Sequence, residues 1–362
     1  MPLHHYLPAT YLASFSKDRS LPRRDRVIAV GDKQSRRVFS ASAARVGAIR
    51  DFYTLVSAPK DDPQLLEKIW AQYETDLADA VERLVSRSLD AHTWAHVLVP
   101  FITGLLVRGP DFNERFEVRI KPWRHLAGPD NTNLARLMEV QRLLGPVAAA
   151  EWVVMQARGE GSLMTNDVGF AAFVNPGDRL GLAIPLGRGH VLGLIPRRRG
   201  PVAVARDGKW RPIIQYVDLR PDNHRHLSMT LAEGAHRFIF GPDELTVTQY
   251  LGHGRGSPSR VPEPYDLGFI SGPLAMVHEF TWHRLVGVLA KPPDHEDAWK
   301  FDLDWKAIAS GWKPVAIIPS WGPRVMFDLP PALRREGDVI YVDFYDVEGL
   351  TTPPTDESRE AR

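Results

Sequence analysis

The chain is predicted to be an α+β protein, with helices gathered in its first half and short strands in its second. Three observations carry this. Proline is unevenly placed: of 30 in 362 residues, 11 fall before residue 182 and 19 after it. Because proline removes a backbone donor and breaks helix interiors and central strands, the second half is expected to hold short strands, edges and loops. Apolar residues recur at helical spacing at Leu66, Ile69, Trp70, Tyr73, Leu77, Ala80, Val81 and Leu84. Beyond residue 150 the apolar runs become short and are bounded by glycine and proline, which is the pattern of strands.

Taken in order, residues 26–30 and 36–40 flank the turn-forming Gly31-Asp32-Lys33-Gln34-Ser35 and read as a β-hairpin. A helix is expected from Asp62 as N-cap and Pro63 at its first position through Leu84. A second apolar run, residues 94–107, packs on it, with Pro100 kinking or dividing it. Residues 132–144 form a further helix, capped by Asn131 or Thr132 and stopped at Gly145-Pro146. Strands follow at 152–155, 180–184, 190–195 and 202–204, then a helix at 227–235 and a strand at 237–240. Residues 252–264 read as a linker, and 276–289, 315–318 and 339–344 as further strands. This divides the chain into an α+β domain at 1–251 with a helical insertion at about 57–145, a β-rich C-terminal domain or extension at 265–350, and a disordered tail at 351–362.

Composition narrows the chemistry. With 44 % hydrophobic and 25 % charged residues the chain is an ordinary globular protein. Lys plus Arg is 45 against 44 for Asp plus Glu, so attraction to a polyanion must come from a local patch. There is no cysteine, which excludes disulfides, Cys-ligated metals and thiol nucleophiles. Residues 97–107 are too few to cross a bilayer, so no membrane partner is expected. The opening Met1-Pro2-Leu3-His4-His5-Tyr6 lacks the charged and apolar regions of a secretory signal, and a cytoplasmic location is expected.

The segment His5-Tyr6-Leu7-Pro8-Ala9-Thr10-Tyr11-Leu12-Ala13-Ser14-Phe15 resembles the start of a widespread bacterial family of unknown function that opens His-Tyr-Val-Pro-x-x-Tyr-Leu-x-x-Phe. Further pieces match in order: a helix ending Leu105-Leu106-Val107-Arg108; Leu163-Met164-Thr165-Asn166-Asp167, resembling Thr-Ser-Asp-Asn-Pro; Pro185-Leu186, resembling Pro-Leu-Ser; and the helix from Leu227 to Ala235, which in the family carries Asn where Ser228 stands. The resemblance covers roughly residues 3–250 and implies a fold unit and candidate positions without a reaction. Val168-Gly169, Gly187 and Ser228 depart from the family pattern, which puts any activity at those positions in doubt.

His5 and Asp167 stand in the two most recognisable pieces and are the catalytic candidates, a histidine base with a carboxylate partner. The alternative is that His5 donates to a backbone carbonyl and Asp167 caps a turn. Arg108 is the candidate anion clamp, or else caps its helix's C-terminus. His92 and His96, four apart, share a helix face, but two imidazoles do not make a zinc site and no metal is assigned. The histidines of His278-Glu279-Phe280-Thr281-Trp282-His283 are five apart and do not converge on a helix or strand. Gly187-Arg188-Gly189-His190 and Gly252-His253-Gly254-Arg255-Gly256 lack the Lys-Ser/Thr of a phosphate loop and read as turns. In residues 188–225, Arg188, Arg197, Arg198, Arg199, Arg206, Lys209, Arg211, Arg220 and Arg225 outnumber the acids, which is either a nucleic-acid-binding face or a solvated rim.

Two functions follow from different classes. One is a hydrolase acting on a phosphate-bearing substrate, nucleotide or nucleic acid, with His5 and Asp167 as acid and base and Arg108 as clamp. The other is a non-catalytic binding or regulatory module in which those residues hold the N-terminal segment in place. The sequence assigns no cofactor and no protein partner, and leaves enzymatic activity open.

Overall fold

The computed structural model describes residues 2–55, 63–114, 131–158, 162–174, 180–195, 199–206 and 209–253, together with five strands beyond them. It contains helices and several sheets, in agreement with the α+β class. The chain opens with a short strand, β1 (Leu3–His5), followed by α1 (Ala9–Leu12) and a 3-10 turn at Ala13–Phe15. The hairpin is present as β2 (Val27–Asp32) and β3 (Arg37–Ser42), in register from Val27↔Ser42 to Asp32↔Arg37. The sequence did not reveal β4 (Ala48–Arg50), which pairs antiparallel with β1 and sets His5 opposite Ala48.

The long helix expected after residue 62 is two helices, α2 (Leu65–Glu74) and α3 (Leu77–Val85). The break falls at Thr75-Asp76, where the Thr75 hydroxyl turns back to the Ala71 carbonyl at 3.2 Å and the backbone of Asp76 leaves the helical region. Asp62, the expected cap, lies outside the described residues. The apolar periodicity survives the break, because Leu66, Trp70 and Tyr73 are buried on α2 and Leu77, Ala80 and Leu84 on α3.

At Pro100 the second apolar run is expected to kink or divide, but the backbone stays helical from Ala91 to Arg108 and only the helix type changes. The short α4 (Ala91–Thr93) passes into a π turn at Trp94–Leu98 and then into α5 (Val99–Arg108). Pro100 has no amide to offer the His96 carbonyl, and just ahead of it the Val99 amide reaches the Trp94 carbonyl, the wider spacing of a π turn. The next helix, α6 (Asn131–Ala149), is not stopped by Gly145-Pro146. It continues one turn to bury Val147 and Ala149, and the Trp152 indole then bonds the Val147 carbonyl at 3.0 Å.

The remaining strands and helices are β5 (Glu151–Ala157), β6 (Thr165–Asn166), β7 (Ala171–Val174), β8 (Leu180–Pro185), β9 (His190–Ile195), β10 (Arg199–Arg206), β11 (Lys209–Pro212), β12 (Ile214–Leu219), α7 (Pro221–Gly234), β13 (Phe238–Gly241) and α8 (Glu244–Leu251). One sheet has the order β12-β5-β9-β8-β7, antiparallel except that β12 runs parallel to β5. A second has the order β3-β2-β13-β6. The C-terminal strands are β14 (Gly287–Lys291), β15 (Lys300–Leu303), β16 (Lys313–Ile318), β17 (Ala332–Glu336) and β18 (Val339–Asp343). Of these, β18 pairs with β10 from Arg199↔Asp343 to Val204↔Val339, while β14, β15 and β16 form a separate sheet. Most of the expected linker, part of the expected strand at 276–289, and the tail at 351–362 lie outside the described residues.

One core joins the N-terminal arm to the helices and the first sheet: Tyr11, Phe15, Trp70, Phe101 and Trp152 belong to the same buried cluster. Where α5 meets the turn after β6, Gly169 has φ +87 and a Cβ there would stand 2.6 Å from Leu105. Gly169→Ala is therefore expected to lower stability by ~1–3 kcal/mol in urea unfolding. Gly252→Ala, where nothing lies within 4 Å of the added carbon, is expected to stay within ~0.5 kcal/mol of the wild type.

Candidate functional site

Arg108 ends α5 with its side chain 1 % exposed. A guanidinium so deeply buried has to be paired and hydrogen-bonded. It forms an ion pair with Glu74 at the end of α2 and donates to the backbone carbonyl of His5. Its carbon Cζ lies 5.1 Å from the Trp70 ring centre and 5.8 Å from that of Tyr53. Burial works against the charge, but Glu74, then Tyr53 and Tyr73, more than offset it, and the group stays ionised. The surroundings are not saturated: Arg108 Nε, Trp70 Nε1, the Tyr73 hydroxyl and Glu67 Oε2 are buried without hydrogen-bond partners.

His5 is held at three points. Its amide hydrogen-bonds the Glu67 carboxylate, its carbonyl accepts from Arg108, and its ring Nε2 lies 3.2 Å from the Ala44 carbonyl. Glu67 and Arg108 thus treat the outer edge of β1 as a neighbouring strand would, one accepting and one donating. Burial lowers the imidazole's pKa, helped by the Arg108 charge and opposed by Ala44 and Glu74. Glu67 shifts the other way: burial and Glu74 raise its pKa against the pull of Arg108.

Asp167 is 1 % exposed and sits elsewhere in this arrangement. Its carboxylate accepts from three successive amides, His236 at 2.8 Å, Arg237 at 2.6 Å and Phe238 at 2.8 Å, at the entry to β13. Burial pushes its pKa up to about 6 in spite of these amides. The same strap is fastened twice more. Lys33 Nζ donates to the carbonyls of Ala232 at 2.8 Å and Ala235 at 3.1 Å, and Arg237 grips Asp32 through two nitrogens at 3.1 and 2.8 Å. That hydrogen bonding by Arg237 is the main reason Asp32 is drawn down to about 2.

The N-terminal arm does lie beside the 165–169 turn, since the Tyr11 hydroxyl is 3.0 Å from Thr165 Oγ1. Yet the charges acting on His5 are Glu74 and Arg108, whereas the field of Asp167 falls on Tyr6. Asn166 shapes the turn itself, accepting from the amides of Val168 at 3.2 Å and Gly169 at 2.7 Å and donating to the Leu231 carbonyl at 2.9 Å. A proline at 169 could not make the second of these bonds. Ser228 is fully buried and its hydroxyl has no partner.

Sequence reasoning missed Arg136, which is 0 % exposed. Its Nε donates to the Val107 carbonyl at 3.1 Å and an Nη to that of Gly109 at 3.3 Å, so Arg136, rather than Arg108, caps α5. The signal was present: residues 136, 140, 143 and 147 form one stripe of α6 in which an arginine replaces an apolar residue. His92 and His96 have ring centres 4.4 Å apart and are both exposed. Among the described residues no group of three or more His, Asp or Glu is placed to hold a metal. His278 and His283 lie outside the described residues, as does the second glycine-rich piece beyond His253.

Removing Arg108 strands Glu74 and the His5 carbonyl, so Arg108→Met is expected to cost ~3 kcal/mol in urea unfolding, with partial recovery in Arg108→Met/Glu74→Leu. Asp167 titrates higher in the folded chain than its ordinary value, so the folded state holds that proton more tightly. Its contribution to stability therefore falls as pH rises from about 4 to about 6 and is level above. Subtracting the unfolding free energies of Asp167→Asn from those of the wild type across this range should show that downward slope, whereas the low pKa of Asp32 acts below it with the opposite sign.

Residues 3–140 match the family described as a protein of unknown function (DUF4238). The matched span holds β1, His5 and Arg108, and ends before Asp167, Pro185-Leu186 and Ser228, which the motif resemblance had included. No curated protein and no solved structure matches the chain.

Proposed function

We propose that the chain is a non-catalytic binding or regulatory module whose recognisable motif residues fix its architecture. The observation that carries this is the engagement of their charged ends: the two terminal nitrogens of Arg108 are taken by Glu74 and the His5 carbonyl, and the Asp167 carboxylate by three amides. Groups already engaged by backbone offer little to a reacting substrate. The hydrolase reading keeps one point of support. His5 has a lowered pKa and Nε2 beside a carbonyl, which suits a neutral general base.

Nucleic acid is the ligand that the basic segment 188–225 brings to mind, but its described charges are divided. Arg188 and His190 belong to the β8–β9 hairpin, while Arg199, Arg206, Lys209 and Arg211 belong to β10 and β11 in another sheet. That division favours a compact anionic ligand over a long polyanion.

The full chain should be incubated with sugar phosphates, nucleotides and oligonucleotides while release of phosphate or nucleoside is followed. No turnover is expected, and His5→Ala and Asp167→Asn should lower thermal stability instead. Wild-type turnover that disappears in a folded His5→Ala protein would overturn the module reading and restore the hydrolase.

A further inference from the structure

We propose that the groove between the end of α3 and the strands β12, β5 and β9 binds a small sugar acid, with Arg87 as the fork for its carboxylate and His190, Gln156 and Asp218 reading its hydroxyls. This deepens the binding-module reading and rests on it only in taking the ligand to be held rather than turned over.

Arg87 stands where a helix ends in a conformation that favours glycine. Just past α3 the Arg87 amide bonds the Leu84 carbonyl at 3.3 Å and the Ser88 amide the Arg83 carbonyl at 2.9 Å, and Arg87 takes φ +63. Glycine adopts this left-handed turn without steric penalty, whereas an arginine costs stability there, which points to a use for its side chain. That side chain lies over the Tyr216 ring, with Cζ 4.7 Å from the ring centre, and the Tyr216 hydroxyl donates to the Leu84 carbonyl at 2.8 Å. Turn and ring together orient the guanidinium. Among the described residues no acid or carbonyl engages it. An oriented guanidinium without a counter-charge is a fork for an anion.

Arg87 is a wall of a groove of about 200 Å³ that Tyr216, Asp218, Gln156, Arg158 and His190 also line. Gln156 on β5 is the register partner of both His190 on β9 and Asp218 on β12, so these three stand side by side on one face. With strands about 4.8 Å apart, the row spans about 10 Å. Arg158 donates to Asp218 at 2.8 Å, so these two charges offset one another. Burial lowers the pKa of His190, which leaves its ring uncharged at neutral pH with one donor and one acceptor. Among the described residues that line the groove, Arg87 is then the one uncompensated charge.

One uncompensated positive charge matches a single carboxylate better than a phosphate monoester, which carries about −1.5 to −2 at neutral pH. An amide, an imidazole and an ion-paired carboxylate supply both donors and acceptors, the combination that reads hydroxyl groups. The volume is below that of a drug-sized pocket and suits one sugar ring better than a nucleoside.

The test is calorimetric titration of the full chain with glucuronate, gluconate, glucose, acetate and glucose 6-phosphate. At least one of the two sugar acids should bind more tightly than the other three probes. Arg87→Gly relieves the positive φ, so it should melt no lower than the wild type and yet weaken binding roughly tenfold or more. Gln156→Glu, which adds a carboxylate to the groove at an exposed position, should also weaken binding, while Arg24→Gln, outside the groove lining, should leave it unchanged. Absence of binding by both sugar acids, tighter binding of glucose or glucose 6-phosphate, or undiminished binding in Arg87→Gly or Gln156→Glu would overturn the site and leave the module reading untouched. Chemical conversion of the sugar acid during the titration would overturn the module reading and leave the site standing.

Discussion

The N-terminal arm depends on one buried charge. Arg108 is brought to the end of a helix whose other side chains are almost all buried, and it cannot reach water. It must find its partners inside, and those partners are α2 through Glu74 and β1 through the His5 carbonyl. A single guanidinium thus ties together α5, α2 and β1. Glu67 completes the tie by accepting the His5 amide, and the rings of Trp70 and Tyr53 cover the cation. An apolar residue at 108 could fill the space, but it could not answer the Glu74 carboxylate or the His5 carbonyl that β1 presents outward.

Asp167 solves a related problem with the opposite charge. Between α7 and β13 the chain turns sharply, and three consecutive amides point inward with no strand to meet them; the carboxylate receives all three. Lys33 collects the carbonyls left at the end of α7, and Asp32 holds the side chain of Arg237. Burial makes ionised Asp167 costly, and that cost is offset by backbone groups that would otherwise lie unpaired. The motif residues in the arm and in the 165–169 turn therefore belong to one construction, which sets the β8–β9 turn against Ser14.

Much of the scaffold was legible because it is local. The β2–β3 hairpin follows from two short runs around a polar turn, and the π turn within the second helical run lies just ahead of the missing amide of Pro100. The split between α2 and α3 was hidden because the apolar period continues across Thr75-Asp76. The end of α6 was misplaced because burial of Val147 and Ala149 outweighs the local signal of Gly145-Pro146. The helix α8 was overlooked although Asp243 caps it through the Thr246 amide at 2.8 Å, a pattern visible in sequence. Arg108 and Asp167 were found as positions, but their partners lie on other elements and no spacing rule points to them. The packing of Gly187 against Ser14 is of the same kind: it exists only once the arm has docked.

The most direct measurement is native-state hydrogen exchange at the amides of residues 4–7, compared between the wild type and Arg108→Lys. An ammonium cannot span Glu74 and the His5 carbonyl as a guanidinium fork does. If Arg108 holds the arm, these amides are strongly protected in the wild type and exchange through local opening in Arg108→Lys, while the amides of β5 and β9 keep their protection. Unchanged protection at residues 4–7 in a folded Arg108→Lys protein would contradict it.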